Sequence, residues 1–140
     1  MALKKTSVTL YGHVLDQIES RGPERSSVIN RDLDRYYESL RTARIQLRQV
    51  LSDAELGLLL DNLNGTLMSE TYGVRLIYAN VEDAMTFENI DKKWNVDGDA
   101  LVDKLRRMDF IQLCAIADGA ERWWNRVAKG ENPPHNEMLI

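Results

Sequence analysis

Apolar and polar positions alternate over the first ten residues and then recur at helical spacing almost to the end of the chain. Thr6, Val8 and Leu10 alternate with Lys5, Ser7 and Thr9, the period of a strand with one covered face. Val14, Leu15 and Ile18 then form the apolar face of a helix over about residues 12–20, which Gly22-Pro23 ends. Ser26 or Ser27 stands where a helix N-cap belongs, its hydroxyl placed to accept from an orphan amide. From there Ile29, Leu33, Tyr36, Leu40, Ala43, Leu47 and Val50 advance by alternating steps of four and three, with no Gly or Pro between Pro23 and Gly57. The spacing predicts one helix from about Ser27 to Val50, roughly 36 Å long. A break near residues 40–43 is the alternative.

The remainder reads as helices. Ser52-Asp53-Ala54-Glu55 has the form of a capping box ahead of Leu56, Leu59, Leu60 and Leu63, and Asn64-Gly65 is the expected stop. A pattern over about residues 70–88 buries Val74, Ile77, Val81 and Ala84, and residues 89–96 form a polar connection holding Trp94. Asp97 caps a short helix carrying Leu101, Val102 and Leu105. Asp109 caps the last one, with Phe110, Leu113, Cys114, Ala117, Trp124 and Val127 on one side. Gly130 and Pro133-Pro134 end it, leaving residues 131–140 as a loose tail.

A seven-residue strand followed by two short helical patterns is too little to fold alone. Two copies pairing their strands would supply the missing cover. The paired ribbon would then present Lys5, Ser7 and Thr9 side by side, in a shape that fits the major groove of B-DNA. The charge distribution agrees in sign. Residues 1–44 carry eight basic and six acidic side chains, a net of +2, whereas residues 45–140 carry a net of −6 within a chain of −4 overall. A basic head on an acidic body fits a protein whose head alone meets phosphate.

The order of these features resembles the ribbon-helix-helix superfamily of the MetJ/Arc type over residues 4–40. The resemblance rests on Lys5-Thr6-Ser7-Val8-Thr9-Leu10, then Val14-Leu15-Asp16-Gln17-Ile18, then Arg25-Ser26-Ser27-Val28-Ile29-Asn30-Arg31-Asp32-Leu33-Asp34-Arg35-Tyr36. It implies an intertwined antiparallel two-stranded ribbon, a homodimer and transcriptional regulation. Lys5, Ser7 and Thr9 match the outward positions that read base edges, with Lys4 beside them. Ser26 and Ser27 match the helix start that holds a DNA phosphate, where free amides and the helix dipole favour an anion. Arg25 would add a charge-assisted contact. The chain departs from the family at Thr9, where a basic residue is frequent, at Thr6, where a large aliphatic is usual, and at Asp32, where a small residue is usual. A carboxylate at Asp32 needs a partner such as Arg31 or Arg35.

Other chemistry finds little in the sequence. Cys114 is alone, so no internal disulfide can form and a reducing compartment is the default. It reads as a small core residue. His13 and His135 lack zinc-ligand spacing. His13 is expected on an exposed helix face, and His135 in the loose tail. Glu82 and Asp83 are adjacent and point about 100° apart on a helix, so they do not converge. No nucleophile motif or glycine-rich phosphate loop is present. No cofactor and no catalytic residue is expected. Adjacent Trp123 and Trp124 cannot both face one core, which leaves one partly exposed or at a subunit contact; the alternative is that both pack against the long helix and the 89–96 connection.

The sequence therefore predicts a mostly α protein: a ribbon-helix-helix DNA-binding and dimerisation module over 1–44, an all-α accessory domain over 45–130 and a tail over 131–140. Its expected partners are double-stranded DNA, a second copy (with a tetramer as a further assembly) and a protein on the helical domain. A cytoplasmic location is expected, since no apolar run reaches the roughly 18 residues of a membrane helix and no apolar segment follows Met1-Ala2-Leu3-Lys4-Lys5 as in a signal peptide. The alternative is a dimeric helical adaptor or antitoxin-like interaction module without strong DNA binding.

Overall fold

Residues 4–63 and 71–140 are described by a computed structural model of the chain. It divides into two compact units, Met1–Glu38 and Ser39–Ile140, so the boundary lies six residues before the expected one at Arg44. Among the described residues all regular structure is helical and there is no strand.

That corrects the expected fold class: the N-terminal β-ribbon is not present. Residues 4–11 belong to no helix and no sheet. The alternation of Thr6, Val8 and Leu10 defines a face, but a face is buried only where something covers it. Val8 is 66% exposed and Leu10 only half-buried. A strand's N–H and C=O groups need a neighbouring strand, and none of the described residues of this chain provides one.

The first unit continues with α1 (Gly12–Glu19), entered through Tyr11, whose carbonyl accepts from the amides of Val14 and Leu15 at 3.0 Å. Gly22, at φ +151°, turns the chain in a conformation that suits glycine. Helix α2 (Arg25–Val50) follows, unbroken for 26 residues, as the seam predicts. Its start differs from expectation. The carbonyl of Glu24 already accepts from the amide of Val28, so Ser26 and Ser27 stand inside the first turn and do not cap it. Within this unit Ile18 and Val28 are buried, whereas Leu33, Tyr36 and Tyr37 are exposed.

The second unit begins in the same helix. Leu40, Ala43 and Leu47, with Leu51 just beyond α2, enter its core, and Val50 ends the seam in solvent. Helix α3 (Asp53–Asn62) is the centre. Its capping box forms as the sequence implies: Glu55 N donates to Ser52 Oγ at 3.1 Å and Ser52 N donates to Glu55 Oε1 at 2.9 Å. Every residue from Glu55 to Leu60 is buried, as expected of a helix wrapped on all sides. The expected stop at Asn64-Gly65 lies outside the described residues.

Around α3 pack α4 (Thr71–Arg75), α5 (Ile77–Glu88), α6 (Ile90–Lys93), α7 (Gly98–Arg107), α8 (Phe110–Ala128) and a 3-10 turn, η1 (His135–Leu139). The single pattern expected over 70–88 is two helices broken at Leu76, and the 89–96 connection holds α6 between Asn89 and Asn95, both at φ 53°. Asp97 and Asp109 cap α7 and α8 as expected, the latter within a second capping box closed by Gln112. The expected loose tail is instead docked, because Met138 and Leu139 bury their side chains against α3 and α8. On α8 it is Trp123 that enters the core, while Trp124 stays 42% exposed with its indole N–H donating to the Leu63 carbonyl at 3.1 Å.

One close approach inside this unit tests the packing. A Cβ at Gly57 would lie 2.6 Å from Cζ3 of Trp94. Alanine is intrinsically the better helix former by about 1 kcal/mol, but displacing a rigid indole costs about 1–3 kcal/mol. Gly57→Ala is therefore expected to lower the melting temperature, and calorimetry showing a rise would mean the ring moves freely.

Candidate nucleic-acid interface

Lys4, Lys5, Ser7 and Thr9 are all exposed along the non-helical segment that precedes α1. The next residues continue this polar strip, with the Tyr11 and His13 rings stacked 5.7 Å apart. His13 is on an exposed position, as expected. Two lysines fall before the first carboxylate of the chain, Asp16.

Arg25, Ser26 and Ser27 are exposed as well, in the opening turn of α2. The amides of a helix's first turn lack acceptors within the helix. Arg25 is not available in the way the resemblance implies, since its guanidinium is held by Glu19 at the end of α1. Lys4, Lys5, Ser7 and Thr9 precede α1 and Arg25, Ser26 and Ser27 open α2, so α1 and the Gly22 turn separate the two sets along the chain.

The partner of Asp32 is neither of the arginines that sequence spacing suggested. It is Arg21, which reaches across the turn and grips the carboxylate with both terminal nitrogens, the Nη1–Oδ1 bond measuring 2.7 Å. This bidentate geometry is the strong form of the interaction, and it ties the end of α1 to α2. The signal was in the sequence only as two opposite charges eleven residues apart, with nothing to say that the Gly22 turn would fold one onto the other.

The hydrogen bonds from Arg21 hold the Asp32 carboxyl below the ordinary carboxylate range, reinforced by the charges of Arg21, Arg31 and Arg35 and opposed by slight desolvation. A depressed folded value means that the tie contributes above the unfolded value of about 4 and is lost as pH falls through the lowered one. Carboxyl NMR titration should give Asp32 a midpoint below its value in an Arg21→Gln variant. Equal midpoints would show that the pair does not persist in solution.

In the second unit the remaining candidates resolve into structural roles. Cys114 is buried in the core. Glu82 is engaged by Arg106 at 3.0 Å. His135 is far from loose. Its ring lies 4.2 Å from that of Trp123 and 5.6 Å from that of Trp94, and Nε2 is 3.3 Å from Asp61 Oδ1. It therefore anchors η1.

No helix among the described residues is long and apolar enough to cross a membrane. No family model matches the chain, and comparison with curated proteins and with solved structures finds no match.

Proposed function

We propose that this protein is a homodimeric DNA-binding protein of regulatory type, in which the N-terminal unit joins two copies and meets DNA, and residues 39–140 form an accessory helical body. The β-ribbon is no part of the proposal. The observation that carries it is the surface of residues 4–37: Val8, Tyr11, Leu33 and Tyr37 stand in solvent, as do Lys4 and Lys5, while only Ile18 and Val28 among the large apolar side chains are buried.

The energetics favour a partner chain. Ordering a residue costs about 1–2 kcal/mol of backbone entropy, and burying one aliphatic side chain returns about 1.5–3 kcal/mol. Among residues 4–38 Ile18 and Val28 are buried and Val14, Leu15 and Ile29 half-buried, a thin apolar core that a partner chain would thicken. A second copy is the simplest cover, because the same apolar patch on both chains can be self-complementary about a two-fold axis. Doubling also brings four lysines together, from Lys4 and Lys5 of each chain, which supports an anionic polymer as the ligand. Duplex DNA is the polymer that the regulatory reading implies, and the lone Cys114 supports a reducing compartment such as the cytoplasm.

A specific observation favours a second reading, the dimeric helical adaptor. Arg21 and Arg25 spend their charge on Asp32 and Glu19, and residues 1–38 carry six basic and six acidic side chains. Sedimentation and fluorescence anisotropy on the intact chain separate the two. A dimer at micromolar concentration is expected, with affinity for random-sequence duplex that falls with salt. In a Lys4→Ala, Lys5→Ala variant the log–log salt slope should flatten by up to about 0.9 per lysine lost, with dimerisation unchanged. Dimerisation without DNA binding at low salt supports the adaptor. A monomer overturns both.

A further inference from the structure

We propose that the helical body carries a binding site for a small carboxylate with an aromatic or branched apolar body, in the groove between α4, α5, α7 and α8. Arg75, Tyr78, Leu105, Arg106, Met108, Phe110 and Leu113 line a cavity of about 410 Å³, within the range of small-ligand pockets. The site lies wholly within the second unit and is independent of the DNA-binding reading.

Its chemistry is divided. Leu105 and Leu113 are buried, and Tyr78, Met108 and Phe110 are partly covered, so apolar side chains form one part of a lining that is otherwise polar. Among the described residues the charged side chains in the lining are two arginines, and each is held against a ring. The guanidinium carbon of Arg75 lies 4.3 Å from the centroid of Phe110, and that of Arg106 lies 4.8 Å from the centroid of Tyr78. A cation–π contact positions a guanidinium without neutralising it. Arg106 shares its charge with Glu82. For Arg75 no carboxylate partner is found among the described residues, so the groove keeps an excess of positive charge.

The contrast with the neighbouring cavity is informative. Arg122 and Arg126 line a smaller hollow of about 280 Å³ with Asn125, Glu137 and Met138. There Arg126 is paired with both Glu131 and Glu137, and Arg122 with Asp118 and the Met138 carbonyl. Those arginines face carboxylates within the fold, although Arg122 Nε makes no hydrogen bond. In the Arg75–Arg106 groove the planar fork of a guanidinium, pre-positioned over a ring, matches a carboxylate, and the adjoining apolar wall accepts the ligand's body.

The test is an NMR titration of the full-length protein with phenylacetate, and with phenylacetamide as the uncharged isostere. Phenylacetate should give saturable shifts confined to residues 75–80 and 105–113, with a Kd below about 1 mM. Phenylacetamide should bind about ten-fold or more weakly, as should phenylacetate to the Arg75→Ala, Arg106→Ala variant, because a hydrogen bond to a charged group is worth about 1.5–3 kcal/mol. Both arginines are exposed, so this variant should keep its fold, which the spectrum itself reports. Absence of saturable shifts overturns the proposal. So do equal affinities for acid and amide, or an unchanged affinity in the folded variant.

Discussion

Leu60→Ala is expected to destabilise the protein by about 3–5 kcal/mol, the upper half of the range for emptying a buried leucine site. Leu60 has no exposed surface and lies in the last turn of α3, the helix against which α5, α8 and η1 pack. The size of the loss depends on whether neighbours can collapse into the void. Here Leu60 Cδ2 would be 3.6 Å from a Cβ on Gly119 of α8, and glycine has no side chain to move inward. Urea denaturation should show the midpoint falling with little change in slope. A loss below about 1 kcal/mol would mean that α3 is less enclosed than the structure shows. Leu33→Ala is the useful contrast. Leu33 is 47% exposed in the single chain, so any stability lost there should depend on protein concentration, as it must if a second copy covers it.

Lys104→Ala should cost about 2–3 kcal/mol, for an electrostatic reason. The Lys104 ammonium donates to Oε1 and Oε2 of Glu55, at 2.7 and 3.0 Å, and to the carbonyl of Val50 at 3.0 Å. One side chain of α7 thus clips the last turn of α2 to the first turn of α3. The Glu55 side chain is only 9% exposed, whereas that of Lys104 is 34% exposed. Removing the lysine strands a nearly buried carboxylate, a loss that reaches about 3–5 kcal/mol for fully buried pairs. The partial exposure of Lys104 lowers it. Adding Glu55→Gln should recover about half of the loss, because the amide oxygen can still accept from Ser52 N in the capping box without a charge to bury. Additive losses in the double variant would show that the pair is not coupled.

Elements whose signals are local were legible in the sequence. The capping box of Ser52 and Glu55 needed only residues three apart, and it formed, as did the cap at Asp109. The length of α2 followed from an uninterrupted apolar seam, because no proline or glycine was present to stop it. The same seam overstated burial. Leu40, Ala43 and Leu47 are covered, but Leu33, Tyr36 and Val50 are not, since periodicity reports a face and never what lies against it. The N-terminal strand failed for that reason. The tail failed in the opposite direction: Pro133-Pro134 and polar neighbours suggested a loose end, yet Met138 and Leu139 found an apolar bed on α3 and α8.

Of the candidate interface, Lys4, Lys5, Ser7 and Thr9 are exposed, but so are Thr6 and Val8, so the alternation did not set them apart. The engagement of Arg25 by Glu19 and of Asp32 by Arg21 could not be read from the sequence, because both depend on how sharply the chain turns at Gly22. The groove of Arg75 and Arg106 left no trace in the sequence, its members being thirty-one residues apart and drawn from four elements.

What the chain order alone settled here was where helices begin, how long they run and which side of each is apolar, since backbone capping and side-chain spacing act over a few residues. Which apolar sides were covered, which charges were paired and where two arginines met across a groove was decided by the tertiary structure. Burial and ion pairing are properties of neighbours in space, and in this protein those neighbours can be more than seventy residues apart, as Arg44 and Asp118 are in their 3.0 Å bond.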